Sequence, residues 1–147
     1  MTQLTPHFSL KEMTVTSTGL PNIPQGKQLE NLIYTARQME LVRQILGNKP
    51  IIINSAYRSE AVNRAVGGVP TSAHAHGFGV DFVCPSFGTP YEVCMAIARS
   101  GLIFDQLIHE KRSWIHIGFG LKNGVSNRRQ LLTLPPGGKG YVAGIIK

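Results

Sequence analysis

Residues 55–82 read SAYRSEAVNRAVGGVPTSAHAHGFGVDF, and this stretch decides the fold. The β-branched run at 51–55 predicts a short buried strand at its start. Ser59 is a suitable N-cap for a short helix that ends near Val66, before two glycines. After a loop, the run GVDFV at 79–83 predicts a second strand. The stretch therefore predicts mixed α and β structure.

The flanking sequence adds two longer helices and a hairpin. Apolar residues recur at helical spacing over 27–46, which predicts an amphipathic helix. A capping box with proline at the first helical position predicts another helix over 90–100. The β-like runs at 104–110 and 113–120 are separated by two basic residues, which indicates a hairpin.

The chain length fits one domain, predicted to cover residues 1–147. We expect an ordered arm over 1–25, a catalytic core over 26–120 and a tail over 121–147, in which YVAGII at 141–146 is a candidate edge strand. The element order predicts an α+β fold, with helices packed on one face of a small, mainly antiparallel sheet.

Composition limits the function classes. The sequence carries a net charge of +7, which favours anionic surroundings such as nucleic acid or a bacterial envelope. DNA binding is a hypothesis that rests on this charge alone. No zinc-finger, basic-zipper or RNA-binding motif accompanies the charge, so no nucleic-acid partner is expected. No segment approaches the about 18 apolar residues of a membrane span, and the start does not resemble a signal peptide. Cys84 and Cys94 are expected to be buried free thiols.

Three polar residues stand out against their surroundings. Asp81 lies inside the apolar run 79–83, where an unpaired buried carboxylate would cost several kcal/mol. His116 lies inside the apolar run WIHIG, and strand alternation places it opposite the neighbouring isoleucines. With His74 from the preceding loop they form a set of two nitrogens and one oxygen. Such a set suits one tetrahedral zinc ion on the open face of the sheet, with water at the fourth position.

A zinc-activated water can attack an amide carbonyl if a carboxylate accepts its proton and a cation stabilises the oxyanion. Glu110 precedes the turn of the predicted hairpin. A three-residue turn would place it opposite Trp114, on the face that carries His116. Arg58, just beyond a strand end, is the candidate for binding the oxyanion or a substrate carboxylate through its planar guanidinium.

The motifs S-x-H-x6-D and W-x-H, together with Y-R-S and the opening HFSLKEM, resemble the zinc D-alanyl-D-alanine peptidases. This family also includes phage L-alanyl-D-glutamate endolysins, vancomycin-resistance dipeptidases and the hedgehog domain. The resemblance covers about residues 7–120 and is strongest to phage and prophage members. It implies that His74, Asp81 and His116 bind zinc and that Arg58 binds substrate.

The motif residues Ser72 and Trp114 are also predicted to contact the substrate. The general base is less directly implied. The dipeptidase branch has a glutamate where this chain has Ser113, and another branch has a histidine at the position of Trp114. Glu110 matches the spacing of the hedgehog glutamate and is the predicted base. His109 and His76 are weaker alternatives. His109 is expected on the opposite face, and His76 is expected to be exposed or to support a ligand rather than to be a fourth ligand.

We therefore expect a monomeric zinc metallopeptidase that hydrolyses an amide bond of peptidoglycan peptides, as endopeptidase or carboxypeptidase. A phage endolysin is the simplest form of this hypothesis. It would be made in the host cytoplasm without a signal peptide and would act on the cell wall after release through holin pores. The alternative is a non-catalytic wall-binding or phage structural module that retains the fold.

Overall fold

The computed structural model describes residues 2–120 and 127–147. The part of the tail prediction that falls on residues 121–126 lies outside the described residues. None of the described helices is both long and apolar enough to cross a membrane.

The first part of the chain forms a small hairpin and two helices. A capping box between Ser9 and Glu12 begins the short helix α1, a helix that the prediction of an ordered arm over 1–25 did not include. The elements are β1 (Gln3–Thr5), β2 (Phe8–Ser9), α1 (Leu10–Met13) and α2 (Lys27–Ile45). Helix α2 confirms the helix expected over 27–46.

The remaining elements build the sheet and its connections. They are β3 (Ile52–Ser55), α3 (Glu60–Ala65), a 3-10 helix (Ala73–His76), β4 (Gly79–Val83), α4 (Pro90–Ala98), β5 (Gln106–Glu110), β6 (Trp114–Gly118), β7 (Gln130–Leu134) and β8 (Val142–Ala143). The predicted caps are present, because the Ser59 side chain accepts from Val62 N and Thr89 forms a capping box with Glu92. The loop predicted after α3 contains the 3-10 helix, which the sequence reading missed.

Within the described residues, six strands form one sheet in the order β3-β4-β6-β5-β7-β8. All neighbours are antiparallel except β5 and β7, which are parallel. The predicted mainly antiparallel α+β fold is confirmed. Strand β7 was not predicted, because its partner β5 lies across a long connection and its pairing leaves no local sequence signal.

One face of the sheet carries the hydrophobic core. Buried side chains of α2 and α4 pack in one cluster with those of the central strands, as expected for helices on one face. The cluster includes Leu32, Ala36, Met39, Val42, Val93, Ile97, Val80, Phe82, Leu107, Ile115 and Ile117. Full burial of a Val, Leu, Ile, Phe or Met side chain contributes about 1.5–3 kcal/mol. The alternating side chains of β4, β5 and β6 therefore lie on the other face.

The strand predicted over residues 51–55 is present as β3, but the prediction that it is buried was wrong. Strand β3 lies at the edge of the sheet and pairs with β4, so Ile52 is 52% exposed. The residues on either side of the strand, Ile51, Ala56 and Tyr57, supply the buried contacts instead. A short apolar run cannot distinguish an edge strand from a central one, because both have the same local pattern.

Candidate metal centre

Three separate elements bring the predicted ligands together on the open face of the sheet. Asp81 on β4 is paired directly with His116 on β6, so their side chains lie on the same face. His74 comes from the 3-10 helix that precedes β4. One ligand atom from each of the three residues lies within 4.8 Å of the other two. The structure therefore brings the three predicted ligands together.

Asp81 lies between the two imidazoles. Its Oδ1 atom is 2.9 Å from Nδ1 of His116 and 3.2 Å from Nε2 of His74. In a tetrahedral zinc site with ligand distances of about 2.0–2.2 Å, neighbouring donor atoms are about 3.3–3.6 Å apart. The two measured separations differ from this range by only tenths of an ångström. The spacing and the two-nitrogen, one-oxygen donor set therefore fit Zn²⁺.

The orientation of His74 is set by its neighbours. Ser72 caps the 3-10 helix through its Oγ atom, which accepts from His74 N at 3.2 Å. The ring Nδ1 lies 2.8 Å from the carbonyl oxygen of Ala56. This carbonyl can only accept, so Nδ1 carries the proton and Nε2 presents its lone pair to the cluster. At Gly79 a Cβ atom would lie 2.9 Å from His74 N, so a side chain there would displace the ligand.

The protonation states also suit a metal site. Burial lowers the pKa of His74, which keeps the imidazole neutral, although Asp81 opposes the shift. Burial alone would raise the pKa of Asp81. The hydrogen bond from His116 is the largest of the effects that outweigh it and hold that pKa well below its ordinary value. A neutral imidazole and an ionised carboxylate are the forms that bind metal.

Glu110 lies on the same face, as the hairpin prediction required. The turn between β5 and β6 has Lys111 and Arg112 at φ 52° and 56°, and it pairs Glu110 with Trp114. Left-handed residues of this kind are typical of tight hairpin turns. Glu110 is 9% exposed, and burial raises the pKa of its carboxyl group while the charge of His116 opposes the shift. A carboxylate with a raised pKa is a better proton acceptor near neutral pH.

Arg58 contacts Asp81 from the side of β3, whereas His116 contacts it from β6. Its Nε donates to Ser55 Oγ at 3.1 Å and its Nη2 to Asp81 Oδ2 at 3.4 Å. Burial lowers the pKa of Arg58 and the charge of Asp81 opposes the shift, but an arginine remains protonated. Arg58 thus holds the second oxygen of the carboxylate whose first oxygen faces the histidines.

The backbone that carries Arg58 is fixed by a residue that sequence reasoning missed. Asn22 is 8% exposed, and its Nδ2 donates to the carbonyl oxygens of Thr14 and Tyr57, each at 2.9 Å. Its Oδ1 accepts from Ser59 N at 2.6 Å. The N-terminal arm therefore braces both sides of Arg58. A buried asparagine in a Pro- and Asn-rich loop has no sequence pattern that would reveal these contacts.

All seven predicted site residues line one cavity of about 380 Å³, which is within the size range of ligand pockets. They are Arg58, Ser72, His74, Asp81, Glu110, Trp114 and His116. His76 is exposed outside this cavity, and His109 lies on the helix face with Nδ1 2.8 Å from Ile146 O. Tyr141, from the tail, also lines the cavity and was not predicted as a site residue.

The α+β fold presents a His-Asp-His cluster beside a carboxylate and a guanidinium. This arrangement is typical of metal-dependent hydrolases. Comparison with known proteins gives the family. The model of the peptidase M15 family matches residues 6–118, so the chain belongs to that family. The resemblance inferred from the motifs is confirmed.

A relative supports the same assignment. The chain is 34% identical over 58 residues to the zinc D-Ala-D-Ala carboxypeptidase of Streptomyces albus G. The match covers 40% of this chain and 23% of that protein, so the chain spans about a quarter of its relative's length.

Proposed function

We propose that the protein is a zinc-dependent peptidase that hydrolyses an amide bond in the peptide part of peptidoglycan. One observation carries the proposal: the zinc-compatible cluster of His74, Asp81 and His116 shares a cavity with a buried carboxylate and a guanidinium. Membership of the peptidase M15 family and the similarity to a zinc D-Ala-D-Ala carboxypeptidase support it.

His74, Asp81 and His116 would hold the zinc ion, one per chain. When bound, zinc polarises the scissile carbonyl and lowers the pKa of water. Glu110 is the proposed general base. Its carboxylate accepts the proton of the attacking water and then delivers it to the leaving amine, which breaks the C–N bond.

Arg58 is proposed to donate to the substrate carbonyl or to a substrate carboxylate. It is 18% exposed at the side chain and already holds Asp81 Oδ2 through Nη2. Ser72 and Trp114 are proposed to contact the substrate from the other walls of the same cavity.

We further propose that the protein acts as a phage endolysin. The net charge of +7 favours the anionic bacterial envelope, and the opening motif HFSLKEM is similar to phage members of the family. In this proposal a monomer is made in the host cytoplasm and acts in the periplasm or wall after release. The bond cleaved is D-Ala to D-Ala, L-Ala to D-Glu, or the cross-link.

Digestion of purified sacculi tests the proposal. The zinc-loaded protein is expected to release peptide fragments, chelator to abolish the release and added zinc to restore it. Mass analysis of the fragments then identifies the bond. Glu110→Gln should retain zinc but lose about two to four orders of magnitude in turnover. Binding to sacculi without fragment release by the zinc-loaded parent would instead indicate a wall-binding module.

The ligand assignment has its own test. His74→Ala and His116→Ala are each expected to lose nearly all bound zinc, measured by elemental analysis after gel filtration. His76→Ala is the matched control, because this histidine is exposed and outside the cavity. Full zinc content in both ligand variants would contradict the assignment.

A further inference from the structure

The C-terminal strand adds a side chain to the cavity. Strand β8 pairs with β7 through Thr133 and Val142. Continuing this antiparallel register by one residue sets Tyr141 beside Leu134, which is paired with Glu110. Tyr141 thus belongs to the row of the sheet that carries Glu110, and it lines the cavity. The matched family region ends at residue 118, so Tyr141 lies beyond it.

The segment that follows Tyr141 is held from the helix face of the sheet, where the directly paired Thr133 and His109 both bind it. Thr133 Oγ1 donates to Gly144 O at 2.8 Å and accepts from Ile146 N at 2.9 Å. From the same face, His109 Nδ1 donates to Ile146 O at 2.8 Å. His109 and Thr133 are 2% and 5% exposed. Buried side-chain hydrogen bonds of this kind fix the position of the strand, so Tyr141 has a defined place.

Tyr141 is 55% exposed, so its ring is accessible to a ligand in the cavity. Burial of its hydroxyl, and then the charges of Glu110 and Asp81, raise the pKa of the phenol. The hydroxyl therefore remains protonated at neutral pH and can donate a hydrogen bond. An exposed ring with a donor is suited to contact an extended peptide.

The cavity runs across the strands with Arg58 and Tyr141 at opposite ends. Arg58 contacts Asp81 on β4, whereas Tyr141 precedes β8, four strand positions away in the sheet. At about 4.8 Å per strand interval this separation is about 19 Å at the backbone. Because both side chains reach inward to line the same cavity, a shorter extended peptide, at about 3.3 Å per residue, can contact both.

We propose that Tyr141 is a substrate-binding residue that contacts the stem peptide on the side of the scissile bond away from Arg58. It selects longer peptides over short ones. The inference rests on the proposed peptidoglycan substrate.

The test uses two soluble stem peptides that share the bond identified by sacculus digestion and differ in length on the side away from Arg58. Tyr141→Ala is expected to lower kcat/KM at least about ten-fold for the long peptide and less than about two-fold for the short one. Tyr141→Phe should lose part of this factor, because it keeps the ring without the donor. Val142→Ala, the neighbouring residue with its side chain on the opposite face, is the matched control and should change neither value.

A binding measurement separates this inference from the proposed hydrolysis. In the zinc-loaded Glu110→Gln protein, adding Tyr141→Ala should weaken calorimetric binding of the long peptide at least about ten-fold, with zinc content unchanged. Another outcome is that the parent protein cleaves neither peptide while Tyr141→Ala still weakens binding of the long one. In that case the proposed hydrolysis is wrong and the role of Tyr141 in peptide binding stands. Equal losses for long and short peptides, or unchanged binding of the long peptide, would overturn the role of Tyr141.

Discussion

Replacing Asn22 by alanine is expected to destabilise the segment that carries Arg58. The Asn22 side chain makes three buried hydrogen bonds, two donated at 2.9 Å and one accepted at 2.6 Å. Each contributes about 0.5–1.5 kcal/mol net, so Asn22→Ala should lower the free energy of unfolding by about 2–4 kcal/mol. This is a large part of the about 5–15 kcal/mol that stabilises a typical domain.

Urea denaturation followed by circular dichroism measures this loss. All proteins are compared with metal removed by chelator, because zinc binding would add its own stabilisation. Asn31→Ala is the matched control, since the half-buried Asn31 side chain donates a single hydrogen bond to His76 O at 2.9 Å. It should cost less than about 1 kcal/mol.

Asn22→Ala should also lower kcat/KM more than Asn31→Ala under conditions where both zinc-loaded proteins are folded, because Arg58 loses its brace. Destabilisation of less than about 1 kcal/mol, or a loss equal to that of Asn31→Ala, would refute this account of the N-terminal arm.

Three further predictions concern other parts of the chain. Arg58→Lys should bind zinc normally but lose about ten-fold or more in kcat/KM for sacculus peptides, since lysine lacks the planar pair of donors; equal rates would leave Arg58 without a role in turnover. Burial raises the pKa of Cys94 to about 12 and also raises the pKa of Cys84, so both remain thiols at pH 8. Ellman's reagent should therefore react with them only after unfolding. Arg129 donates to carbonyl oxygens at and just beyond the end of α4. Arg129→Ala should therefore lower the free energy of unfolding in urea by about 1–3 kcal/mol. A loss no larger than that of Arg99→Ala, at an exposed position, would contradict this.

The sequence was sufficient to place Asp81 and His116 on one face of the sheet because its signals there are local. Each polar residue lies inside an apolar run, so strand alternation predicts which face of the sheet it occupies. The structure pairs Asp81 with His116. The short turn likewise predicted that Glu110 lies opposite Trp114. The placement of these residues is confirmed, whereas their roles in binding and catalysis remain proposals.

The motifs also determined the family, and the periodicity of α2 and the capping box of α4 determined those helices. These features depend on residues a few positions apart, so the physical interactions that create them are visible along the chain.

Only the tertiary structure decided which parts of the chain meet at a distance. The parallel pairing of β5 with β7, the edge position of β3 and the bracing of Arg58 by Asn22 join residues with no shared local pattern. The same holds for Tyr141, which reaches the cavity because the tail pairs at the sheet's edge. Such contacts are favoured only when the whole chain packs, so a short segment of sequence carries no signal for them.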